Sequence, residues 1–215
     1  LIRTIFDNIY ILVIGKFFPA AQLGFYSKAK RFKQMAAEEV SSAVGAVAFP
    51  VLSQLQDDKP RLKRAVRKFL VHTLVFVAPV LVLLIALAEP FVILLFTEKW
   101  APMIPYMQLL CVAGILYPIH AVNVQVLQAQ GKSNLNFRLA VIKNCFRVVN
   151  IVVMYRFGVV FIIIGEIIAS ILALIVNTYY TKRLLSYGML EQLNDIRLIV
   201  FSAVLSGLVG YITIY

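Results

Sequence analysis

Charge is scarce in this sequence. Of its 215 residues 14% are Asp, Glu, Lys or Arg and 61% are hydrophobic, where a soluble domain carries roughly a quarter charged residues. Such a chain cannot cover its own core with polar surface, so lipid is its expected solvent. Acid is scarcer still, with 10 Asp and Glu against 21 Lys and Arg. A nucleic-acid binder would gather that excess on a solvated face with few long apolar runs. Here the bases sit between and within greasy segments, so no nucleic-acid partner is expected, and the excess should set orientation and line cavities.

Thiols and imidazoles are equally sparse. Cys111 and Cys145 lie inside apolar segments with no second thiol at a ligand spacing, and both read as buried hydrophobes. His72 and His120 have no imidazole or carboxylate three or four positions away, so neither a metal nor a cofactor is expected. His120, with Asn123, Gln125 and Gln128 following it, reads instead as a source of interhelical hydrogen bonds. The turn Gly131-Lys132-Ser133 looks like the end of a phosphate-binding loop, yet Val126 stands where the first glycine should be and no strand precedes it. A nucleophile elbow, paired exposed carboxylates and a zinc-binding helix are all missing, so no catalytic residue is assigned and no enzyme is expected. A membrane-embedded glycosyltransferase or polymerase would need a carboxylate in an interfacial loop. Of the candidates Asp57, Asp58, Glu191 and Asp195, the first two read as ordinary helix-leading acids.

Strict apolar alternation is absent too. Continuous runs such as Val80–Leu87 and Phe161–Ile164 exclude a membrane β-barrel and point to an all-α, polytopic helical bundle. Nor is there a linker long enough to separate a pair of globular units, and Leu1–Ile14 is not expected to be a secretory leader, since Asp7 interrupts it and no small-residue cleavage site follows. With Leu1 at its start and an apolar run up to Tyr215, the sequence reads as an internal fragment whose first helix is truncated.

What is present is a set of seven hydrophobic segments: Leu1–Gly15, Gly24–Leu55, Phe69–Phe96, Ile104–Leu127, Phe137–Tyr155, Val159–Thr181 and Ile196–Tyr215. Pro79 should kink the third, and Glu89-Pro90 should break it. Among alternate connectors, one side holds Lys59, Arg61, Lys63, Arg64, Arg67, Lys68, Lys132, Arg138, Lys182, Arg183 and Arg197, and the other Lys16, Lys99 and Arg156. The richer side is cytoplasmic by the positive-inside rule, which places Trp100 and Tyr106 at the outer interface. The chain is thus expected to be a multi-pass membrane protein.

Charges inside the segments carry the functional information, because a lipid-facing charge at mid-bilayer costs about 2.5–3.5 kcal/mol. At 100° per residue, Lys30, Arg31, Gln34, Glu38 and Ser42 share one arc of the second segment, with Lys33 on the apolar side. That arc reads as an anion-attracting wall of a transport cavity, with Arg31 preferred because its planar fork matches phosphate oxygens. Arg147 and Asn150 extend the wall from the fifth segment, one turn beyond Lys143. Glu166, in the sixth, is expected either to pair across helices with Arg147 or Asn150 or to act as a coupling carboxylate. Asp7 is a second candidate for coupling or intramembrane pairing.

Several dispersed motifs stand in one order: Asp7–Lys16, Leu23–Lys30, Phe49–Asp58, Ala88-Glu89-Pro90 through Glu98-Lys99-Trp100, Gly131-Lys132-Ser133 and Asn177–Thr181. Together they resemble the bacterial polysaccharide flippases of the lipopolysaccharide and teichuronic-acid type, within the multidrug, oligosaccharidyl-lipid and polysaccharide exporter superfamily. The resemblance implies a two-lobed helical transporter of which residues 1–181 form the C-terminal lobe, with 182–215 a cytoplasmic connector and the start of an additional membrane helix. It implies flipping of undecaprenyl-pyrophosphate-linked oligosaccharide repeat units by alternating access, with the bilayer and an N-terminal lobe of the same protein as partners. Another exporter of the superfamily, for drugs or a peptidoglycan precursor, is the rival reading.

Overall fold

The computed structural model describes residues 8–214, so Asp7 lies outside the described residues. Helix follows helix: α1 Ile9–Phe17, α2 Ala20–Lys33, a π-helical turn Gln34–Glu39, α3 Val40–Gln54, α4 Lys59–Ala86, α5 Ala88–Phe96, a 3-10 turn Glu98–Met103, α6 Ile104–Ile115, α7 Tyr117–Ala129, α8 Ser133–Met154, a 3-10 turn Tyr155–Phe157, α9 Val159–Leu185 and α10 Met189–Ile214. No strand occurs among the described residues, as the apolar runs require. Five stretches are long and apolar enough to cross a membrane: Ala20–Gln54, Lys59–Ala86, Glu98–Ala129, Val159–Leu185 and Met189–Thr213. The chain is a multi-pass membrane helical bundle, and side chains such as Phe76, Leu94, Val152, Phe201 and Ile212 remain on its outer surface because lipid replaces water there.

Breakers act where their chemistry permits. α4 continues through Pro79, whereas the chain breaks at Leu87, so that Pro90 falls in the first turn of α5, where its missing N–H costs nothing. The fourth hydrophobic segment divides at Leu116, with Pro118 again in a first turn. Asp58 caps α4, its carboxylate accepting from the Arg61 N–H at 3.0 Å.

Connectors sort to two ends, as the alternation of charge requires. At one end Phe25 meets Trp100 edge-on, ring centroids 5.5 Å apart, and Phe17 meets Tyr155 at 5.9 Å. Trp100 is only half-buried there, while Tyr106, expected at the same interface, is buried in the core. At the other, basic end, Lys63 Nζ donates to the Ser186 carbonyl at 2.8 Å and pairs with Glu191 at 2.7 Å, and Arg67 pairs with Asp195. These bonds fasten α10 to α4.

Buried polar groups tie the helices together inside the bundle. Asn123 and Gln192 exchange amide hydrogen bonds of 2.9 and 3.0 Å between α7 and α10. His120 lies 3.0 Å from the Ser170 hydroxyl, and the Asn177 amide reaches its other ring nitrogen at 2.9 Å. The interhelical role read for His120 and Asn123 is therefore what the bundle shows. Cys111 is buried as expected, but Cys145 is exposed, because its face of α8 looks outward.

Candidate functional site

Between α1, α2, the π turn, α7, α8 and α9 lies a cavity of about 540 Å3. Four cations line it, Lys30, Lys33, Lys143 and Arg147, against two carboxylates, Glu38 and Glu166. The cavity therefore carries an excess of positive charge within the bundle.

The cationic wall owes its shape to a local change in helical pitch. Five positions along an α-helix turn the chain through 500°, which leaves two such residues about 140° apart. In a π turn the backbone bond runs over five residues instead, so side chains at i and i+5 stand nearly one above the other. Across Gln34–Glu39 this brings Lys33 beneath Glu38, and Lys33 Nζ lies 2.9 Å from Oε1 of Glu38. Lys33, which uniform α geometry assigns to the apolar side, is thereby turned into the cavity, its side chain 10% exposed. Gly114 of α6 accommodates its stem: a Cβ there would come within 3.0 Å of Lys33 Cγ.

Glu166 completes the cluster from α9. It accepts from the Tyr26 hydroxyl at 3.4 Å and lies 3.7 Å from Lys33 Nζ. One buried ammonium is thus shared by two carboxylates, both less than a third exposed. Burial of this kind is tolerable only when each charge has a partner, which is what the cluster supplies.

Of the residues singled out from the sequence, Lys30, Gln34, Glu38, Arg147 and Glu166 come together around the cavity. Arg31 is not among its lining residues. Its guanidinium points away from the bundle and pairs with Glu39 at 2.9 Å, both side chains more than half exposed. Ser42 is exposed, beyond the π turn that resets the helical face. Asn150 is buried rather than cavity-lining: its amide donates to the Tyr10 hydroxyl and to the Ile162 carbonyl, each at 3.1 Å. It fits against α9 because Gly165 lacks a Cβ, which would overlap the Asn150 amide. Arg147 donates to Asn144 at 3.4 Å, and Glu166 takes the partners from α2 just described in place of the expected Asn150. Lys33 and Tyr26 are the site residues that the sequence pattern missed. Lys143, read only as one turn from Arg147, also lines the cavity and makes no ion pair among the described residues.

Residues 1–105 match the polysaccharide biosynthesis protein family. Over 178 residues, 83% of this chain, the sequence is 28% identical to the lipopolysaccharide biosynthesis protein WzxC of Escherichia coli. Over 109 residues, 50% of this chain, it is 37% identical to the succinoglycan biosynthesis transport protein ExoT of Rhizobium meliloti. Over 137 residues, 64% of this chain, it is 26% identical to the teichuronic acid biosynthesis protein TuaB of Bacillus subtilis. The chain spans 36%, 22% and 28% of the lengths of these curated relatives, respectively. In fold it is similar to the inward closed conformation of the lipid II flippase MurJ, with a TM-score of 0.72 and 16% identity over 97% of this chain and 49% of that one. The resemblance to polysaccharide exporters carried by the sequence motifs is borne out by the family match, the curated relatives and the fold, and with its five apolar helices the chain is a multi-pass inner-membrane protein.

Proposed function

We propose that this chain is the C-terminal lobe of a flippase that carries undecaprenyl-pyrophosphate-linked oligosaccharide repeat units from the cytoplasmic to the outer leaflet by alternating access. Residues 1–181 supply one half of the transport cavity and an N-terminal lobe of the same protein supplies the other. Residues 182–215 are a cytoplasmic connector and the start of an additional membrane helix. The substrate is moved without making or breaking a covalent bond, so the protein is not an enzyme in that sense.

The observation that carries this reading is the cavity itself, with four cations facing two carboxylates. A pyrophosphate brings the negative charge that such a wall lacks. Arg147 suits one phosphoryl group because a guanidinium binds two oxygens at once, while Lys30 and Lys143 serve as point charges. Lys33, already held by Glu38 and Glu166, fixes the geometry of the wall.

The test is leaflet-to-leaflet movement of a fluorescent undecaprenyl-pyrophosphate oligosaccharide in vesicles containing the full-length protein. Removing a charged hydrogen-bond partner costs about 1.5–3 kcal/mol, so Lys143→Gln and Arg147→Gln should each slow movement by roughly tenfold or more. An unchanged rate in both variants refutes the assignment.

A further inference from the structure

A second hollow, of about 290 Å3, opens at the basic end of the bundle. Lys59 follows the α3–α4 connector, Lys132 belongs to the α7–α8 turn, and Arg183 stands in the last turn of α9; the three converge there with Asp57, Gln56 and Gln130. The sequence separates these cations widely, and only the return of three helices to one end brings them together.

Nearby cations are treated differently. Arg61 is paired with Asp58, Lys63 with Glu191 and Arg67 with Asp195. By contrast Lys59, Lys132 and Arg183 are exposed, and their side chains form no ion pair or hydrogen bond among the described residues. Three cations against the single carboxylate of Asp57 leave the hollow positively charged, and an anion seated between them relieves the repulsion among the cations. The amino end of α8 adds to the attraction: Lys132 occupies its capping position and no side chain caps it. The hollow lies on the side that the loop charges make cytoplasmic, at the level of the headgroups, where anionic lipids gather.

We propose that this cleft binds the phosphate of an anionic phospholipid headgroup in the cytoplasmic leaflet, with Arg183 forking onto the phosphate oxygens and Lys59 and Lys132 flanking it. A phosphodiester headgroup satisfies all three cations, whereas a zwitterionic one brings a positive group of its own into the same hollow.

Native mass spectrometry and thermal melting of the full chain, titrated with phosphatidylglycerol, phosphatidylcholine or inorganic phosphate, provide the test. Phosphatidylglycerol should be retained and raise the melting temperature, with phosphatidylcholine and inorganic phosphate far less effective. Each of Lys59→Gln, Lys132→Gln and Arg183→Gln should weaken that binding by about fivefold. A control carrying Arg64→Gln, Lys68→Gln and Arg197→Gln, which removes charge from the same side outside the hollow, should bind as the parent does. Melting in phosphatidylcholine alone verifies that each variant is folded. Equal weakening in the control, which indicates diffuse surface charge, overturns the site. So does undiminished binding in the single variants, or stabilisation by inorganic phosphate equal to that by the lipid, which indicates a soluble anion instead.

Discussion

Lys33 and Glu38, five positions apart in one continuous span, form a 2.9 Å ion pair that exists because the helix between them is wound as a π turn. The same ammonium lies 3.7 Å from Glu166 of α9, so a local change of pitch in one helix fixes a contact between two helices.

Breaking this cluster should be costly. Lys33→Met leaves Glu38 and Glu166 without their shared counter-charge, and removal of one partner from a buried pair costs about 3–5 kcal/mol. Thermal unfolding of the purified chain in detergent should show the loss, and adding Glu166→Gln to Lys33→Met should restore some of it. Additive losses in the double variant count against a coupled cluster.

The π turn itself can be tested by shortening it. Met35 is 50% exposed and stands within Gln34–Glu39. Deleting it should return the turn to α geometry, with Lys33 and Glu38 now four positions apart and still on one face. The melting temperature should equal or exceed that of the parent. A fall comparable to that of Lys33→Met shows that the pair does not survive the change of pitch.

Arg31 and Arg147 should differ in transport. Arg31 pairs with Glu39 at the outer surface of the helix, whereas Arg147 lines the cavity. Arg31→Gln should leave flipping by the full-length protein within about twofold, in keeping with the small worth of exposed ion pairs. Equal, large losses in Arg31→Gln and Arg147→Gln place substrate contacts beyond the cavity.

Asn150 and Gly165 form a complementary pair. Gly165→Ala puts a Cβ into the Asn150 amide, and overpacking of this kind costs about 1–3 kcal/mol. Gly165→Ala combined with Asn150→Ala should recover a measurable share of the lost melting temperature. No recovery locates the strain elsewhere on α9.

At the basic end of the bundle, burial holds the Tyr187 hydroxyl in its protonated form well above the usual tyrosine range, helped by its 2.8 Å hydrogen bond to Asp195. Because the folded-state pKa is the higher one, this contribution is complete below pH about 10 and falls away above it, as the unfolded state ionises first. Stability measured by denaturation from pH 8 to 11 should fall less steeply for Tyr187→Phe than for the parent. Parallel curves rule out this linkage.

Much of the fold was legible in the residues. Leu87 breaks a helix just ahead of Pro90, and the basic connectors around Lys59, Lys132 and Arg183 do gather at one end, although the division of the fourth segment at Leu116 was not legible. The candidate site was only partly legible. Lys30, Gln34, Glu38, Arg147 and Glu166 stood out because each is a polar residue that lipid would reject, and all five reach the cavity. Arg31 and Ser42 share the same arc of an ideal helix yet lie outside it, and Lys33, on the wrong arc, lies within.

The sequence by itself determined the solvent, the helices and the gathering of basic connectors at one end, since these follow from composition and from charge summed over whole segments. Tertiary structure alone decided which charges meet. A helical wheel assumes one constant pitch and a single isolated helix, whereas the partner of Lys33 depends on a turn of different pitch and on how closely α9 approaches α2.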